Sequence, residues 1–298
     1  MKPTLTYPFT GAARAVICLA FAVSAQALVA QTVLVQSAVA WWSFDGATTG
    51  TNGRNLTAVS TSTSGLTPVV DVDYVTVSGL PGLATGSQAV KFNGSTVLKT
   101  NDPALRIGGA QTFWLRVSLG DVSGTITLMS RSRANNGQRG ISLQLANGRL
   151  VAYVSSDGQA YEAQLSDSQS TALSANTWYD ISLRFDPSKS LRIDLYDPTT
   201  GSLLDTLETT SGIPASISTT NSIGAGYFQI GGINNGSSGS AWAVPAGTLI
   251  EAAGVWNRVL TNEEIMSLSA IPEPAAASLV AGLCVLAGCL ALRRRHTH

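Results

Sequence analysis

Phe113-Trp114-Leu115-Arg116-Val117-Ser118-Leu119 sets Phe, Leu, Val and Leu at every second position against Trp, Arg and Ser. That is the period of a β-strand with one face on a core. The same period returns in Ile141-Ser142-Leu143-Gln144-Leu145-Ala146, in Ile181-Ser182-Leu183-Arg184-Phe185 and in Leu191-Arg192-Ile193-Asp194-Leu195. Each run turns one face to a core and the other to water, as antiparallel strands do. Turn chemistry separates the runs: Asn147-Gly148, Asp157-Gly158, Asp186-Pro187-Ser188 and Asp197-Pro198 through Gly201. One segment reads as helix. Thr261-Asn262-Glu263-Glu264 is a capping box, with Thr261 as cap and Glu264 at the third helical position, leading into Ile265 and Leu268. No repeat and no linker is evident before residue 270, so the simplest reading is one all-β antiparallel sandwich.

The rest of the composition sets limits. The chain has 298 residues, with 18 Lys and Arg against 18 Asp and Glu. Only 12% of residues are charged, about half the usual share, and no basic cluster marks a nucleic-acid partner. Cysteine occurs only at Cys18, Cys284 and Cys289, and histidine only at His296 and His298. All five fall in the terminal segments, so the body has neither thiol nor imidazole. Cysteine proteases, His-based triads and Cys/His zinc sites are excluded there.

The ends read as targeting. Lys2 and Arg14 precede an apolar run from Ala15 to Val23, which is followed by Ala25-Gln26-Ala27. This is the order of a secretory signal peptide, residues 1–27, cleaved after Ala27 with Ala25 and Ala27 as the small-residue pair. Its partner is the Sec translocon. At the other end an uncharged stretch of 18 residues, 275–292, is followed by Arg293-Arg294-Arg295. As a helix it would measure roughly 27 Å, enough to cross a hydrocarbon core, with the arginines on the cytoplasmic side. A body of residues 28–270 then lies on the far side. Residues 28–270 carry 13 basic and 17 acidic residues, a net charge of about −4.

The segment 271–298, with Pro272-Glu273-Pro274, the apolar stretch and the three arginines in order, resembles the PEP-CTERM sorting signal of Gram-negative bacteria. The resemblance implies recognition by an exosortase, passage through an inner-membrane-anchored precursor, and delivery to the cell surface or extracellular matrix. A plain single-span anchor is the competing reading.

In the body, Ala40-Trp41-Trp42-Ser43-Phe44-Asp45-Gly46 is similar to the first strand of the laminin G-like jelly rolls of the concanavalin A-like lectin/glucanase superfamily. Ala89-Val90-Lys91-Phe92-Asn93-Gly94-Ser95 resembles their "V-x-F-(D/N)-G-S" hairpin. Gln111 to Arg116 resembles their "F-T-x-x-x-W" strand, with the tryptophan placed earlier. Asn176-Thr177-Trp178-Tyr179 resembles the "W-x-H" strand, with Asp180 at the usual His. Gly254 to Ile265, GVWNRVLTNEEI, resembles "I-Y-N-R-A-L-S-x-x-E-I", which couples a closing strand to a capped helix. The resemblance spans residues 40–268 and implies a concanavalin A-like antiparallel jelly roll, flanked by a signal helix and a C-terminal transmembrane helix.

The superfamily includes glycosidases, which need two facing carboxylates. Its glucanase branch carries them as "E-x-D-x-x-E", a pattern missing here. The body's five glutamates are Glu162, Glu208, Glu251, Glu263 and Glu264, the last two in the capped helix. Asp71, Asp73 and Asp194 read as turn or exposed-strand acids. No catalytic residue is assigned, although a pair assembled from distant strands is a second reading. Relatives often hold one structural calcium ion, and the resemblance implies Glu251 and Asp45 as its candidate ligands. The competing view makes Glu251 a surface carboxylate and Asp45 a turn former. For carbohydrate, the candidates are Asn234, Asn235 and Trp242 of the Gly231–Trp242 segment, with Tyr161 beside the Asp157-Gly158 turn. Rings cover apolar sugar faces while amides match hydroxyls. Packing of Trp242 over the core competes with that role. The expected function is a non-catalytic surface or matrix protein that binds polysaccharide. A glycan-active hydrolase and a purely structural surface protein are the alternatives.

Overall fold

The computed structural model describes residues 32–62, 72–80, 83, 86–133, 139–166, 170–219, 227–234 and 240–269. Ala25, Ala27, Asn235 and the sorting-signal residues Pro272, Glu273, Pro274 and Arg293 to Arg295 lie outside them, as do both expected terminal helices. No helix among the described residues is long and apolar enough to cross a membrane.

The body is an antiparallel jelly-roll sandwich. The first sheet runs β13 (Ser202–Thr209), β12 (Ser190–Asp197), β11 (Trp178–Asp186), β6 (Gln111–Ser118), β17 (Leu249–Trp256), β4 (Gln88–Lys91), β3 (Asp73–Thr76), with β1 (Ala40–Trp42) also paired to β17. The second runs β10 (Ala163–Ser166), β9 (Arg149–Val154), β8 (Ile141–Ala146), β7 (Thr125–Arg131), β14 (Phe228–Ile230), β5 (Thr96–Thr100), β2 (Thr57–Ser60). A small ladder joins β15 (Ile233–Asn234) to β16 (Ser240–Ala241). The turn between β8 and β9 uses Asn147 and Gly148 at φ 49° and 79°, both left-handed as a tight hairpin requires.

The alternating runs supply the core. β6 sits centrally, with Leu115 opposite Ile181 on β11 and Ala253 on β17. Phe113, Leu115 and Val117 pack in one cluster with Ile141, Leu143, Leu145, Leu150 and Ala152 of the second sheet. Phe228 stacks on Trp42 and meets Phe113 edge-on, each at 5.6 Å between ring centres.

The outer face of the first sheet departs from the expectation that it meets water. Trp114, Arg116, Asp180, Ser182, Arg184 and Asp194 are buried. They lie under α1 (Asn262–Ser269) and a second helical stretch, residues 32–36, which carries no cap signature in the sequence. Trp114, Trp256, Tyr196 and Ala252 of the sheet pack with Leu34 and Ala38 on one side and Leu260, Ile265 and Leu268 on the other. Trp41 stacks on Trp114 at 5.3 Å, and the Trp256 indole donates to the Leu34 carbonyl at 3.0 Å.

Charge under that cover is paired, as burial demands. Arg116 donates twice to Asp180, at 2.7 and 2.9 Å, and once to the Ser269 carbonyl at 3.0 Å. It thereby satisfies the end of α1, where helix carbonyls lack partners. Arg184 bonds Asp194, the Leu260 carbonyl at 3.0 Å and the Asn262 amide oxygen at 2.8 Å. Asp194 is therefore a buried network acid and not an exposed strand residue. The capping box forms: Glu264 N donates to Thr261 Oγ1 at 3.2 Å, and Thr261 N to Glu264 Oε2 at 2.8 Å.

One further correction concerns Ala89 to Ser95. Because β4 belongs to the first sheet and β5 to the second, this stretch crosses between layers and is not a hairpin. Gly94 makes the corner at φ 83°.

Candidate functional site: the polar face of the second sheet

Along the second sheet, Leu98, Phe228, Leu143, Ala152 and Leu165 enter the core, so their neighbours in sequence point outward. Strand register lines those neighbours up. Thr57 lies opposite Lys99, Lys99 opposite Gln229, Gln229 opposite Ser130, Ser130 opposite Ser142, Ser142 opposite Tyr153, and Tyr153 opposite Gln164. One polar row thus crosses all seven strands. Lys99, Gln229, Ser130 and Ser142 are buried, Thr57 and Tyr153 half-buried, and Gln164 exposed. Thr127, Gln144 and Val151 form part of the adjacent row.

Hydrogen bonding in the row is incomplete. Ser130 Oγ donates to the Gly232 carbonyl at 2.9 Å, Ser240 Oγ to Gln229 Oε1 at 3.1 Å, and Gln144 Nε2 to Ser142 Oγ at 3.1 Å. Gln229 Nε2 and Thr127 Oγ1 are buried with no partner among the described residues. An unsatisfied buried group costs about 1–3 kcal/mol. Lys99 stands 6.0 Å from the Tyr227 ring centre, and burial pushes its ammonium down to about 8.

Two aromatic groups flank this face. Tyr161 lies 4.7 Å from Tyr153 between ring centres, with the Arg139 guanidinium over its ring at 4.7 Å. Trp242 is 42% exposed at φ 49°, and its carbonyl accepts from Thr127 N at 2.7 Å. Tyr161 is within 3.4 Å of the Ser132 hydroxyl. From Thr127 to Ser132 along the strand is roughly 17 Å, so the two aromatics bracket the face and do not form one cage. The Asn234 backbone pairs with Ser240 in the small ladder.

Tyr153, Lys99 and Gln229 were not singled out from the sequence. The alternation that exposed Ser142 and Gln144 carries a signal for Tyr153. The alignment of all seven strands has none, because it depends on which strands become neighbours.

The two calcium candidates serve other contacts. Glu251 is buried on the first sheet, 3.7 Å from Arg116. It is thus neither a surface carboxylate nor placed for a cation, since a guanidinium already faces it. Asp45 is exposed and accepts from Gln88 N at 3.0 Å. Among the described residues no group of three or more His, Cys, Asp or Glu could hold a metal ion. Three of the four remaining glutamates are likewise engaged: Glu162 accepts from Ser156, Glu208 lies 3.5 Å from Arg192, and Glu264 pairs with Arg258.

No curated protein sequence matches the chain significantly. Among solved structures it is similar to the botulinum neurotoxin serotype G binding domain, with 13% identity, TM-score 0.47, and 78% of this chain on 50% of that one. It is similar to the receptor-binding domain of the C/D mosaic serotype, with 15% identity, TM-score 0.49, and 78% of this chain on 51% of that one. A serotype D ligand-binding domain solved with N-acetylneuraminic acid gives 13% identity, TM-score 0.48, and 80% on 52%. The chain spans about half the length of these toxin domains. A family match runs over residues 81–235, more than half of the chain, from the approach to β4 to the start of the Gly231–Trp242 segment. It takes in most of the polar row, and on that match the chain belongs to the SO2946-like, C-terminal domain family.

Proposed function

We propose that this chain is an exported, non-catalytic surface or matrix protein that binds carbohydrate on the polar face of its second sheet. The observation that carries this reading is the polar row across all seven strands, which comes to the surface at half-buried Thr57 and Tyr153 and at exposed Gln164. Sugar hydroxyls supply both donors and acceptors to such groups, and the Tyr153–Tyr161 pair offers a ring surface at the same face. The row contains no carboxylate, which favours binding over glycoside hydrolysis. Export rests on the two terminal segments: Sec entry through residues 1–27, then exosortase sorting through Pro272-Glu273-Pro274, the membrane stretch and Arg293 to Arg295.

A glycan array probed with the purified chain, in calcium and in chelator, tests the binding. Gln229→Leu and Tyr161→Ala should each reduce bound glycan at least tenfold while thermal unfolding stays cooperative. Equal retention by both variants would overturn the site, and no bound glycan would overturn the function. Fractionation of cells making Pro272→Ala/Pro274→Ala chain tests sorting: the variant should remain in the inner membrane, and unchanged surface delivery would refute the exosortase route.

A further inference from the structure

Both ends of the described body lie on one face of the sandwich. Residues 32–38 and α1 cover the outer face of the first sheet, where Leu34 and Ala38 share a cluster with Leu260, Ile265 and Leu268. Ser269, where the described body ends, is fixed there because its carbonyl accepts from Arg116 Nη2 at 3.0 Å. The polar row lies beyond both sheets, on the opposite face. Sheets pack about 10 Å apart and a helix with its side chains is about 10 Å across, so roughly 20 Å separates α1 from the backbone of the row.

The tether to the expected membrane stretch is shorter than that. Five residues, 270–274, separate Ser269 from Ala275. They reach at most about 18 Å when fully extended, and crossing a headgroup layer uses roughly 6 Å of it, so about 12 Å remains. With the polar row against the bilayer, Ser269 would stand out of reach of Ala275. With the opposite face down, the tether suffices. That face has the chemistry of a lipid neighbour. Val33 and Met266 are 58% and 50% exposed, next to Leu34 and Ile265, which pack on the sheet. Residues 32–38 carry no charge. Glu263 and Glu264 stand in the first turn of α1, at the end away from Ser269, and its last turn has no basic residue. The tether, not charge, therefore holds this face at the membrane.

We propose that in the anchored precursor the face formed by residues 32–38 and α1 rests on the lipid headgroups, with Val33 and Met266 against them, and that the polar row is thereby displayed away from the membrane. This rests on the membrane-anchor reading of residues 275–292 and not on carbohydrate binding. The test uses the full chain in a Cys18→Ala/Cys284→Ala/Cys289→Ala background, reconstituted in phosphatidylcholine vesicles that carry a headgroup nitroxide. Met266→Cys and Gln164→Cys, both at exposed positions, are labelled with bimane in turn. Flotation should carry the chain with the vesicles, and the nitroxide should quench bimane at residue 266 at least threefold more than at residue 164. Equal quenching, or stronger quenching at 164, in chain that floats overturns the proposal and leaves the anchor standing. Quenching at 266 seen only with anionic lipid also overturns it, since charge would then hold the face. Chain that fails to float overturns the anchor reading, and the proposal with it.

Discussion

Replacing Asp180 by alanine isolates what the buried ion pair does for the C-terminal helix. Asp180 is fully buried and accepts from Arg116 at 2.7 and 2.9 Å. Without it, the Arg116 guanidinium still has Glu251, at 3.7 Å, and the Ser269 carbonyl. Removing one partner of a buried pair costs about 3–5 kcal/mol, a large share of the ~5–15 kcal/mol that holds a domain folded. At ~2–4 °C per kcal/mol for a domain of this size, the melting temperature should fall by roughly 6–20 °C. Trp114 lies 5.7 Å from the guanidinium, so tryptophan fluorescence in urea reports the loss directly. The double variant Arg116→Met/Asp180→Leu removes both charges, and such replacements are often neutral or stabilising. It should recover most of the loss, yet still free the Ser269 carbonyl and speed proteolysis at the end of α1. A loss below ~1 kcal/mol for Asp180→Ala, or a double variant as unstable as the single, would refute the reasoning.

Three other outcomes follow from the same geometry. Arg258 hydrogen-bonds the Glu264 carboxylate and, with the Thr261 N–H, holds it below its ordinary value of 4.5. A depressed carboxylate stabilises the fold above the unfolded value and loses that contribution as pH falls through the folded one. Urea midpoints should therefore drop more steeply on acidification in the parent than in Arg258→Gln. Lys99 has the opposite sense: burial lowers it from 10.5 to about 8, so the unfolded chain binds more protons between these values and stability should rise with pH across that window. Lys99→Met should flatten the rise, as thermal melts over alkaline pH would show. Finally, a Cβ on Gly254 would lie 2.5 Å from Trp256 and 2.8 Å from Trp41. Gly254→Ala should cost about 1–3 kcal/mol by overpacking, whereas Gly109→Ala, where a Cβ meets nothing within 4 Å, should melt close to the parent and serve as the control.

Local signals made much of the architecture legible. The two-residue period of residues 113–119, 141–146, 181–185 and 191–195 reflects the pleat itself, and those runs became β6, β8, β11 and β12. Thr261 and Glu264 marked the start of α1 because a cap needs only four consecutive residues. The same alternation misled about the outer face of the first sheet. Arg116, Asp180, Arg184 and Asp194 read as solvated because a strand records that a residue is polar, not what covers it. The cover comes from residues 32–38 and 260–268, far from β6 and β11 in sequence.

The functional face divides in the same way. Tyr161 was singled out because a ring beside a turn is a local feature, and Ser142 and Gln144 were read as facing outward because they alternate with leucines. Lys99, Gln229 and Ser130 form a line only when β14 inserts between β5 and β7. Strand periods, turns and the helix cap could be read residue by residue, since each is set by neighbours along the chain, and the lack of thiol and imidazole in the body is a matter of composition. Which polar residues are buried in pairs, and which line up in a row with unsatisfied donors, was settled by the packing of distant strands. Those outcomes depend on contacts between residues tens to more than two hundred positions apart, such as Leu34 and Trp256, and no local pattern encodes them.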